Sequence, residues 1–417
     1  MQDCNSQTSS LPADCARDAL TDVLREGAQR LLAQAIEAEV ADWIDGHADL
    51  RDGRGLRQVV RNGHLPEREV LTGIGPVPVR QPRVRDRRPP GEAVRFSSQI
   101  LPRYLRKTRS LEDLIPWLYL KGVSTGQFGE ALQALVGLDA AGLSASTVTR
   151  LVTAWRKDYE AWSRRSLAGK RYVYVWADGV YFNVRLEDAE NSRQCILVLM
   201  GATAEGKKEL IAVQEGYRES TAGWLELLRD CRQRGVLIDP KLAIGDGALG
   251  FWSALEQVYP RTRAQRCWVH KMANVLNKLP ASVQARAKRK LQEIWMADTK
   301  AAANKAFDQF VELYGAKYPK AVACLEKDRN VLLTFYEFPA EHWLHIRTTN
   351  PIESTFATVR LRHSQTKGNG SRAACLAMVF KLCQAAERYW RTLNGAKLLP
   401  AVIADIAFED GIQKCAA

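Results

Sequence analysis

Three apolar segments of strand length follow one another between residues 171 and 216, and they constrain the fold more than any other part of the chain. They contain the sequences RYVYVWADGVYFNVR, QCILVLMGATAEG and KELIAVQEG. Each segment is rich in the β-branched and aromatic residues that favour strands. The links between them are short, as in AEGK at 204–207, and short links favour antiparallel neighbours.

The segment that follows alternates helices with strands. STAGWLELLRDCRQRG has an N-cap serine, helical periodicity and a terminal glycine, and ALGFWSALEQVYP is a second helix. PKLAIGDG lies between these helices and TRAQRCWVH follows them, and both have the pattern of short strands. Helices on both faces allow the inner strands to be apolar almost throughout. The order of elements predicts an α/β fold with an RNase H-like mixed five-stranded sheet in residues 171–270.

Helical patterns flank this predicted core on both sides. Residues 16–45 have the pattern of an amphipathic helix. It can pack on its own chain or on a second copy, and the sequence does not distinguish these two alternatives. Residues 271–345 are helical without a convincing strand, so they are expected to form an all-helical insertion that interrupts the core. Helices after Asn350 complete the core. The predicted boundaries are 1–50 for the amino-terminal helix, 51–109 for an arginine-rich module, 110–165 for a helix-turn-helix-like domain, 171–270 for the first part of the core, 271–347 for the insertion and 348–417 for the remainder.

Positive charge is concentrated in the amino-terminal part of the chain. The formal net charge is +13, and between Arg51 and Arg109 fifteen Arg or Lys residues face five Asp or Glu residues, an excess of 10. Arginine forks match phosphate geometry and stay charged, so nucleic acid fits this stretch better than a small acidic metabolite or a membrane surface. A solvated basic surface is the simpler alternative. The candidate DNA contacts are Arg83, Arg85, Arg87 and Arg88.

Two consecutive helical patterns between residues 124 and 156 resemble a helix-turn-helix. The second carries apolar residues on one face, and its outer face carries small polar or basic residues that can reach bases or phosphates. These candidate DNA contacts are Ser146, Thr147, Thr149 and Arg150. The connection at 137–143 is longer than the usual turn, and any exposed helix start has a similar composition. An ordinary exposed helix that does not contact DNA is therefore the alternative.

Two aspartates lie at the predicted sheet where ligands converge. Asp178 is within or just past the first strand, and Asp246 is where the fourth strand gives way to a helix. The first and fourth strands are neighbours in the predicted topology, so two carboxylates would meet there and could hold hard divalent cations. Each aspartate precedes a glycine and, taken alone, has the pattern of a turn residue. A third carboxylate would complete a site for two metal ions.

Glu353 is the candidate for that third carboxylate. It lies in TTNPIEST, where Asn350 can cap a helix, Pro351 suits the first helical position and Glu353 stands three residues past the cap. This spacing also predicts a capping box in which the Glu353 side chain accepts from the Asn350 backbone N–H. A carboxylate held at a helix start can also ligate a metal ion, so the two interpretations are compatible.

Four blocks of this sequence resemble the signature of the Mutator-type bacterial insertion-sequence transposases. They are YVWADGVYFNVR, AIGDGALGFW, RCWVHKMANVLNKLP and RTTNPIESTFATVRLRHSQTKG, within a resemblance that extends from about Arg57 to Trp390. The blocks occur in order, with 68 residues from Asp178 to Asp246 and 107 from Asp246 to Glu353. The region around YLKGVSTGQF and LSASTVTRL is similar to the helix-turn-helix region of this family.

The resemblance implies a fold, a site and a reaction. Family members have an RNase H-like core with a helical insertion, as the pattern of elements predicts independently. Asp178, Asp246 and Glu353 match the Asp-Asp-Glu triad that binds two Mg²⁺ ions, for which Mn²⁺ can substitute. The implied chemistry is nicking at the element ends, followed by attack of the freed 3′-OH on another phosphodiester.

Cys267 and His270 in CWVH match a Cys-x-x-His pair of the family. A zinc site usually needs four N or S ligands, and no second pair has the required spacing, so no zinc is expected. We expect His270 to lie near the active site and to orient a phosphate or a carboxylate, with Cys267 packed at the strand end in support. A histidine satisfied in the interior is the alternative.

Arg360 and Lys367 follow Glu353 on the same predicted helix and just beyond it. The resemblance supports contacts from both to the DNA backbone near the metal ions. Without it, they would be interpreted as a solvated basic face.

The function predicted from these observations is a DNA transposase that binds terminal inverted repeats and catalyses metal-dependent cleavage and strand transfer. A structure-selective RNase H-like nuclease is the nearest alternative, since only the attacking oxygen differs. A non-catalytic DNA-binding regulator derived from a transposase is the alternative from another class. Two DNA ends must be brought together, so a homodimer on DNA is expected.

The sequence also bears on location. Its longest apolar run, CILVLMGA, is far shorter than the ~20 residues of a membrane helix, and its start does not have the pattern of a signal peptide. Nine scattered cysteines favour reduced thiols. A cytoplasmic bacterial protein, associated with the nucleoid when it acts, is therefore expected.

Overall fold

The computed structural model describes residues 19–108, 114, 118, 145–184, 193–216, 218–365 and 371–414. The chain divides into two compact units, Met1–Val148 and Thr149–Ala417. The predicted first helix of the helix-turn-helix, near residues 124–137, lies outside the described residues, and so does Lys367.

The amino-terminal unit combines one long helix with two β-ribbons. Helix α1 spans Ala19–Asp45. Strand β1 (Val59–His64) pairs antiparallel with β4 (Pro82–Asp86), and β2 (Arg68–Thr72) pairs antiparallel with β3 (Gly75–Val79). Alternating burial along β3 shows that one of its faces meets a core while the other meets solvent.

The two halves of α1 differ in what they pack against. Ile36, in the second half, joins a cluster with Val70 and Val77 of the β2–β3 ribbon. In the first half the apolar side chains of Val23 and Leu24 remain more than half exposed. Only the second half of the predicted amphipathic face is therefore buried in this unit.

A five-stranded mixed sheet forms the centre of the second unit. Its strands are β5 (Tyr172–Asn183), β6 (Arg193–Thr203), β7 (Lys208–Gly216), β8 (Leu242–Gly245) and β9 (Arg263–Arg266). Their spatial order is β7-β6-β5-β8-β9, in which β6 is antiparallel to both of its neighbours and β8 runs parallel to β5 and β9. This is the strand order of the RNase H-like fold, so the predicted fold class is confirmed.

Helices surround this sheet and fill the segment between its last strand and the carboxyl-terminal part of the chain. Between β9 and residue 350 the chain is described throughout and contains α- and 3₁₀-helices without a strand. The helices are α2 (Ala145–Ser163), α3 (Thr221–Gln233), α4 (Leu249–Val258), α5 (Trp268–Leu276), α6 (Ala281–Trp295), α7 (Lys300–Gly315), α8 (Pro319–Glu326), α9 (Arg329–Leu332), α10 (Trp343–Ile346), α11 (Asn350–Gln365), α12 (Arg372–Glu387) and α13 (Leu399–Ile403). Short 3₁₀ turns occupy Thr334–Glu337, Ala340–His342 and Ala396–Leu398, and a small hairpin pairs β10 (Phe408–Glu409) with β11 (Ile412–Gln413).

Both faces of β5 are covered, which explains why its sequence is apolar almost throughout. On one face Val175 and Ala177 join a hydrophobic cluster with Trp224 of α3 and Phe251 of α4. On the other face the Tyr174 hydroxyl lies 2.7 Å from Nδ1 of His342, whose Nε2 lies 3.0 Å from the Gly395 carbonyl. A carbonyl can only accept, so Nε2 carries the proton and Tyr174 donates to Nδ1. This hydrogen bond ties the start of the sheet to the segment that precedes α11.

Gly235, just after α3, has a backbone conformation that favours glycine. Its φ is +122°, and a Cβ at this position would lie 2.5 Å from the Ala168 backbone nitrogen. We expect Gly235→Ala to lower the free energy of unfolding by about 2 kcal/mol, measured by chemical denaturation. Gly315→Ala is the matched control, because a Cβ there would meet nothing within 4 Å and alanine is the better helix former. Equal unfolding midpoints for the two variants would contradict this assignment.

Candidate active site

The register between β5 and β8 brings the two predicted aspartates side by side. Trp176 of β5 pairs with Ile244 of β8 in a parallel ladder. Asp178 and Asp246 each come two residues further along their chains, and neighbouring strands lie about 4.8 Å apart. Asp178 therefore lies in the middle of β5 beside Asp246, which follows the carboxyl end of β8, so the two carboxylates are brought together within the sheet.

Asp178 is the most buried of the acidic residues at this site. Only 7% of its surface is exposed, and its Oδ1 accepts from the Gly179 N–H at 2.9 Å. Burial raises the pKa of Asp178 to about 7, and the negative charges of Asp246 and Glu353 add to this effect while His270 opposes it. The three predicted carboxylates and His270 thus form one electrostatic cluster.

Asp246 lies in a tight loop between β8 and α4. Its Oδ1 accepts from the Ala248 N–H at 2.8 Å, which fixes the side chain over the start of α4. The residue is partly exposed. One carboxylate oxygen of Asp246 is therefore held by the loop that follows β8.

Glu353 lies in the first turn of α11, but its hydrogen bond differs from the predicted capping box. Its Oε1 accepts from the Thr349 hydroxyl at 2.5 Å, and its backbone N–H donates to the Thr349 carbonyl at 3.0 Å. The Asn350 N–H is 3.4 Å from the Thr348 hydroxyl instead. The capping box with Asn350 is therefore wrong, because the helix begins one residue earlier in its hydrogen bonding and Thr349 occupies the capping position.

His270 joins Glu353 through the same threonine. Nδ1 of His270 lies 3.4 Å from the Thr349 hydroxyl and 3.6 Å from Oε1 of Glu353. The side chain of Cys267 raises the pKa of His270 to about 9 by hydrogen bonding, with help from the charges of Asp178 and Glu353 and against the effect of burial. His270 is therefore an imidazolium at neutral pH and is the positive charge nearest to Glu353 in this cluster.

Cys267 directly follows strand β9 and belongs to the same cluster. Its buried Sγ lies 3.2 Å from both the backbone nitrogen and the hydroxyl oxygen of Thr349. The thiol thus fixes the residue that holds Glu353. Sequence reasoning placed Cys267 and His270 near the carboxylates but did not identify Thr349 as the residue that joins them.

Two sets of side chains in this region could hold a metal ion. Asp178, Asp246 and Glu353 offer carboxylate oxygens, which suit Mg²⁺ and Mn²⁺. Cys267, His270 and Glu353 each place one ligand atom within 4.8 Å of the others. A thiolate and an imidazole suit softer metals such as Zn²⁺, which usually takes four such ligands, and this set of three includes only two of them.

Glu219 is a fourth carboxylate that sequence reasoning missed. It precedes Ser220, the N-cap of α3, and a Cβ on Gly179 would lie 2.5 Å from its Cγ. Burial raises the pKa of Glu219 to about 7, with further contributions from Asp246 and Asp178. Its position next to an N-cap serine resembles an ordinary helix start, so the sequence alone carried no signal of its place beside Asp178.

The arginines predicted to bind DNA fall into two groups. Arg83, Arg85 and Arg87 on and after β4 are exposed. Arg88 instead donates from Nε and from one terminal nitrogen to Asp86, at 3.1 Å and 2.7 Å, and this pair lowers the pKa of the Asp86 carboxyl. The Asp86 side chain is nearly inaccessible. The Arg88 guanidinium therefore stabilises the turn after β4, and its predicted contact with DNA stays a prediction.

The predicted recognition helix is partly described. Ser146 and Thr147 belong to the first turn of α2, and Thr149 and Arg150 follow as exposed residues. Arg360 is exposed on α11, with its guanidinium carbon 5.9 Å from the Phe356 ring centre. These positions leave Thr149, Arg150 and Arg360 accessible to a large anionic partner.

Two general observations concern the described residues alone. Among them, no helix has the length and the apolar content that a bilayer crossing requires. The six cysteines in the described segments, Cys195, Cys231, Cys267, Cys324, Cys375 and Cys383, are free thiols.

Comparison with known proteins gives the family. The model of the family described as "Transposase, Mutator family" matches residues 2–392. The transposase for insertion sequence element IS6120 of Mycolicibacterium smegmatis is 50% identical over 301 residues, which cover 72% of this chain and 92% of the relative. The transposase for insertion sequence element IST2 of Acidithiobacillus ferrooxidans is 53% identical over 290 residues, which cover 68% of this chain and 95% of the relative.

A solved structure titled "Drosophila P element transposase strand transfer complex" is similar at 9% identity and a TM-score of 0.28, covering 70% of this chain and 84% of that one.

The chain belongs to the Mutator family of transposases. The predicted family, a Mutator-type transposase of bacterial insertion sequences, is confirmed, and so is transposition as the predicted function. DNA is accordingly the macromolecule on which the chain acts.

The raised pKa of Asp178 predicts a pH dependence of stability in the metal-free protein. Its folded pKa is about 7 against an ordinary value of 3.8, so the folded state binds more protons between these values and stability falls as pH rises through this window. Asp178→Asn has no such proton. The unfolding temperature of this variant minus that of the wild type, both measured in EDTA, should therefore increase from pH 5 to pH 8. Exposed Asp298→Asn is the control and should follow the wild type. Parallel curves for Asp178→Asn and the wild type would contradict the assignment.

The exposed arginines on and directly after β4 lead to a second prediction. Neutralising Arg83, Arg85 and Arg87 to Gln together should lower DNA affinity and reduce the slope of log affinity against log salt by about 0.9 for each phosphate that is no longer neutralised. Arg88→Gln should instead lower the unfolding temperature, because it leaves the Asp86 carboxylate without its partner, and should keep the slope. Fluorescence anisotropy at several salt concentrations measures the slope. An unchanged slope in the triple variant would mean that the three arginines are only a solvated surface.

Proposed function

We propose that this transposase cuts and joins DNA by metal-dependent phosphoryl transfer at the carboxyl end of β8, beside the middle of β5. Asp178, Asp246 and Glu353 would hold two divalent cations, Mg²⁺ or Mn²⁺. The observation that carries the proposal is the state of Asp178, a buried carboxyl whose charge is opposed by burial and by two further carboxylates. A divalent cation supplies the positive charge that such a cluster requires.

When bound, two such ions would activate the attacking oxygen and stabilise the leaving oxygen of an in-line displacement. Asp178 must lose its proton to act as a ligand, so cation binding is expected to release a proton near neutral pH. Thr349 orients Glu353 through its hydroxyl, which leaves the other carboxylate oxygen of Glu353 for a cation. Asp178, Glu353 and Thr349 would thus act together at one site.

His270 has a separate role in this proposal. As an imidazolium 3.6 Å from Glu353, it would pair with that carboxylate and present an N–H toward the reacting phosphate. The Thr349 hydroxyl faces the same nitrogen, Nδ1, and the Thr349 N–H donates to Sγ of Cys267, which holds the threonine in place. His270 is therefore assigned to orienting the phosphate and the carboxylate, and not to a metal ion.

DNA recognition is assigned to the amino-terminal part of the chain. We propose that the domain boundaries of the sequence analysis hold, and that residues 51–165 bind the terminal inverted repeats. Exposed Arg83, Arg85 and Arg87 supply phosphate contacts, and Thr149 and Arg150 lie on the candidate recognition helix. Arg360 on α11, seven residues past Glu353, would contact the backbone of the DNA that is being cut, and the family resemblance extends this role to Lys367.

A homodimer is part of the proposal because two element ends must be joined. Val23, Leu24 and Leu31 in the first half of α1 are 66%, 51% and 69% exposed. A helix with several large exposed apolar side chains is a candidate contact between copies. Analytical ultracentrifugation with and without repeat DNA measures the state directly.

The central test uses Asp246→Asn. An amide is a poor ligand for Mg²⁺, and loss of several kcal/mol of transition-state stabilisation would slow cleavage and joining by about 1000-fold. The assay incubates protein with DNA carrying the terminal repeats of its element and Mg²⁺, then resolves nicked strands, 3′-OH ends and joined products. Asp298→Asn is the matched control, because the same change is made at an exposed position in the helical segment. Repeat binding should be unchanged in both variants.

The products of the same assay separate the alternatives. Normal joining by Asp246→Asn would refute the metal assignment. Cleavage without joining by the wild type would favour a structure-selective nuclease. Specific repeat binding without either reaction would favour a non-catalytic regulator.

A further inference from the structure

The backbone carbonyl of Asp246 accepts two hydrogen bonds from side chains. Nε1 of Trp252 donates at 2.9 Å, and one terminal nitrogen of Arg266 donates at 2.8 Å. A carbonyl oxygen has two lone pairs, so these two donors satisfy it fully. The peptide group that follows Asp246 is therefore fixed by two elements, α4 and the end of β9.

The two donors also hold each other in place. The guanidinium carbon of Arg266 lies 4.2 Å from the centre of the Trp252 ring, which is the geometry of a cation–π contact. Gly245 allows the ring to approach, because a Cβ on this residue would lie 3.1 Å from Cζ2 of Trp252. Arg266 is paired with Gly245 across the β8–β9 ladder. The ring, the guanidinium and the strand end thus form one packed group.

Arg266 is held from its other side by the helical segment between β9 and α11. Its Nε lies 3.8 Å from Oδ1 of Asp328, the residue before α9. Asp328 also pairs with Lys271 of α5, whose Nζ donates to the Cys324 carbonyl at 2.9 Å. The Arg266 side chain is 11% exposed and that of Asp328 is 6% exposed, so this ion pair is shielded from solvent. The position of the guanidinium therefore depends on the helical insertion.

The loop around Asp246 needs such support. Asp246 stands between Gly245 and Gly247, and a Cβ on Gly247 would meet no atom within 4 Å. Glycine leaves the backbone more freedom than any other residue. Without the two hydrogen bonds to its carbonyl, the peptide after Asp246 could rotate and carry the carboxylate away from Asp178.

We propose that Trp252 and Arg266 are positioning residues that hold the carboxylate of Asp246 in place for a divalent cation, and that Asp328 extends this support into the helical insertion. This inference rests on the proposed function, in which Asp246 is a metal ligand. Neither residue touches the reacting atoms. Their contribution is the geometry of a ligand, for which supporting partners are typically worth 10- to 100-fold in metal affinity or activity.

Trp252→Phe is the sharpest test, because it keeps an aromatic ring beside Arg266 and removes one donor to the Asp246 carbonyl. Trp224→Phe is its matched control. Trp224 lies in the same hydrophobic cluster, and its buried Nε1 has no hydrogen-bond partner among the described residues. Both changes shrink a ring that packs on the same core, so both should lower the unfolding temperature of the metal-free protein, and the Mn²⁺ affinity separates them.

The readout is Mn²⁺ binding to the full-length protein, followed by the electron paramagnetic resonance signal of free Mn²⁺. Trp252→Phe should weaken the tighter binding step by about 10-fold, while Trp224→Phe keeps the wild-type value. The Mg²⁺ concentration for half-maximal cleavage should rise in parallel for Trp252→Phe. Wild-type Mn²⁺ affinity in Trp252→Phe would overturn the proposal.

Arg266→Lys tests the second donor, because lysine keeps the charge and loses the planar fork. Arg232→Lys is the control, since Arg232 donates to the Val258 carbonyl at 2.5 Å and lies 5.9 Å from the Tyr259 ring. We expect weaker Mn²⁺ binding for Arg266→Lys alone, with the salt dependence of DNA binding unchanged. Wild-type Mn²⁺ affinity in Arg266→Lys would overturn the role of this second donor.

Asp246→Asn separates this inference from the proposed function. If it loses both Mn²⁺ binding and cleavage while Trp252→Phe and Arg266→Lys match the wild type, only the positioning role fails. If Asp246→Asn itself binds Mn²⁺ as the wild type does, the metal assignment and the positioning role both fail.

Discussion

Burial of the Asp178 carboxyl in a sheet that is covered on both faces is the constraint on which the rest of the active site depends. The difference between the ordinary pKa of 3.8 and the value of about 7 corresponds to about 4 kcal/mol against the charged form. Asp246 and Glu353 add negative charge to this desolvated position, and His270 supplies only one positive charge against it. A cluster of this kind is stable at neutral pH when it is protonated or when it binds cations. In the proposed function, divalent cations satisfy all three carboxylates.

The supporting contacts follow from this constraint. Asp178 is fixed by its strand, Asp246 by its loop and by two donors to its carbonyl, and Glu353 by Thr349. Each carboxylate is therefore held by a different element, and the cluster forms only when β5, β8 and α11 are all in place. Such dependence explains why the residues that hold the ligands are themselves buried or hydrogen-bonded.

Much of the core could be predicted from the sequence because its elements carry local signals. The apolar runs of β5 and β6, the N-cap serine of α3 and the glycine after it are patterns within a few residues. The neighbouring positions of Asp178 and Asp246 followed from strand order alone. Glu353 lies 107 residues beyond Asp246. It was a candidate because it stands in the first turn of a capped helix after the insertion, and the family resemblance then matched it to the triad.

The remaining site residues could not be predicted because their roles depend on tertiary contacts. Thr349 and Glu219 have the sequence context of ordinary helix starts, and only the fold brings them beside His270 and Gly179. Arg88 looked equivalent to its neighbours within an arginine-rich run, yet a carboxylate two residues away engages it. The helical segment between Arg266 and Glu353 also sets an order in time. A ribosome adds about 5–20 residues per second, so the third carboxylate emerges several seconds after the sheet is complete. A nascent chain can thus expose its arginines to nucleic acid while it still lacks Glu353, and under the proposed mechanism DNA breakage awaits nearly full-length translation.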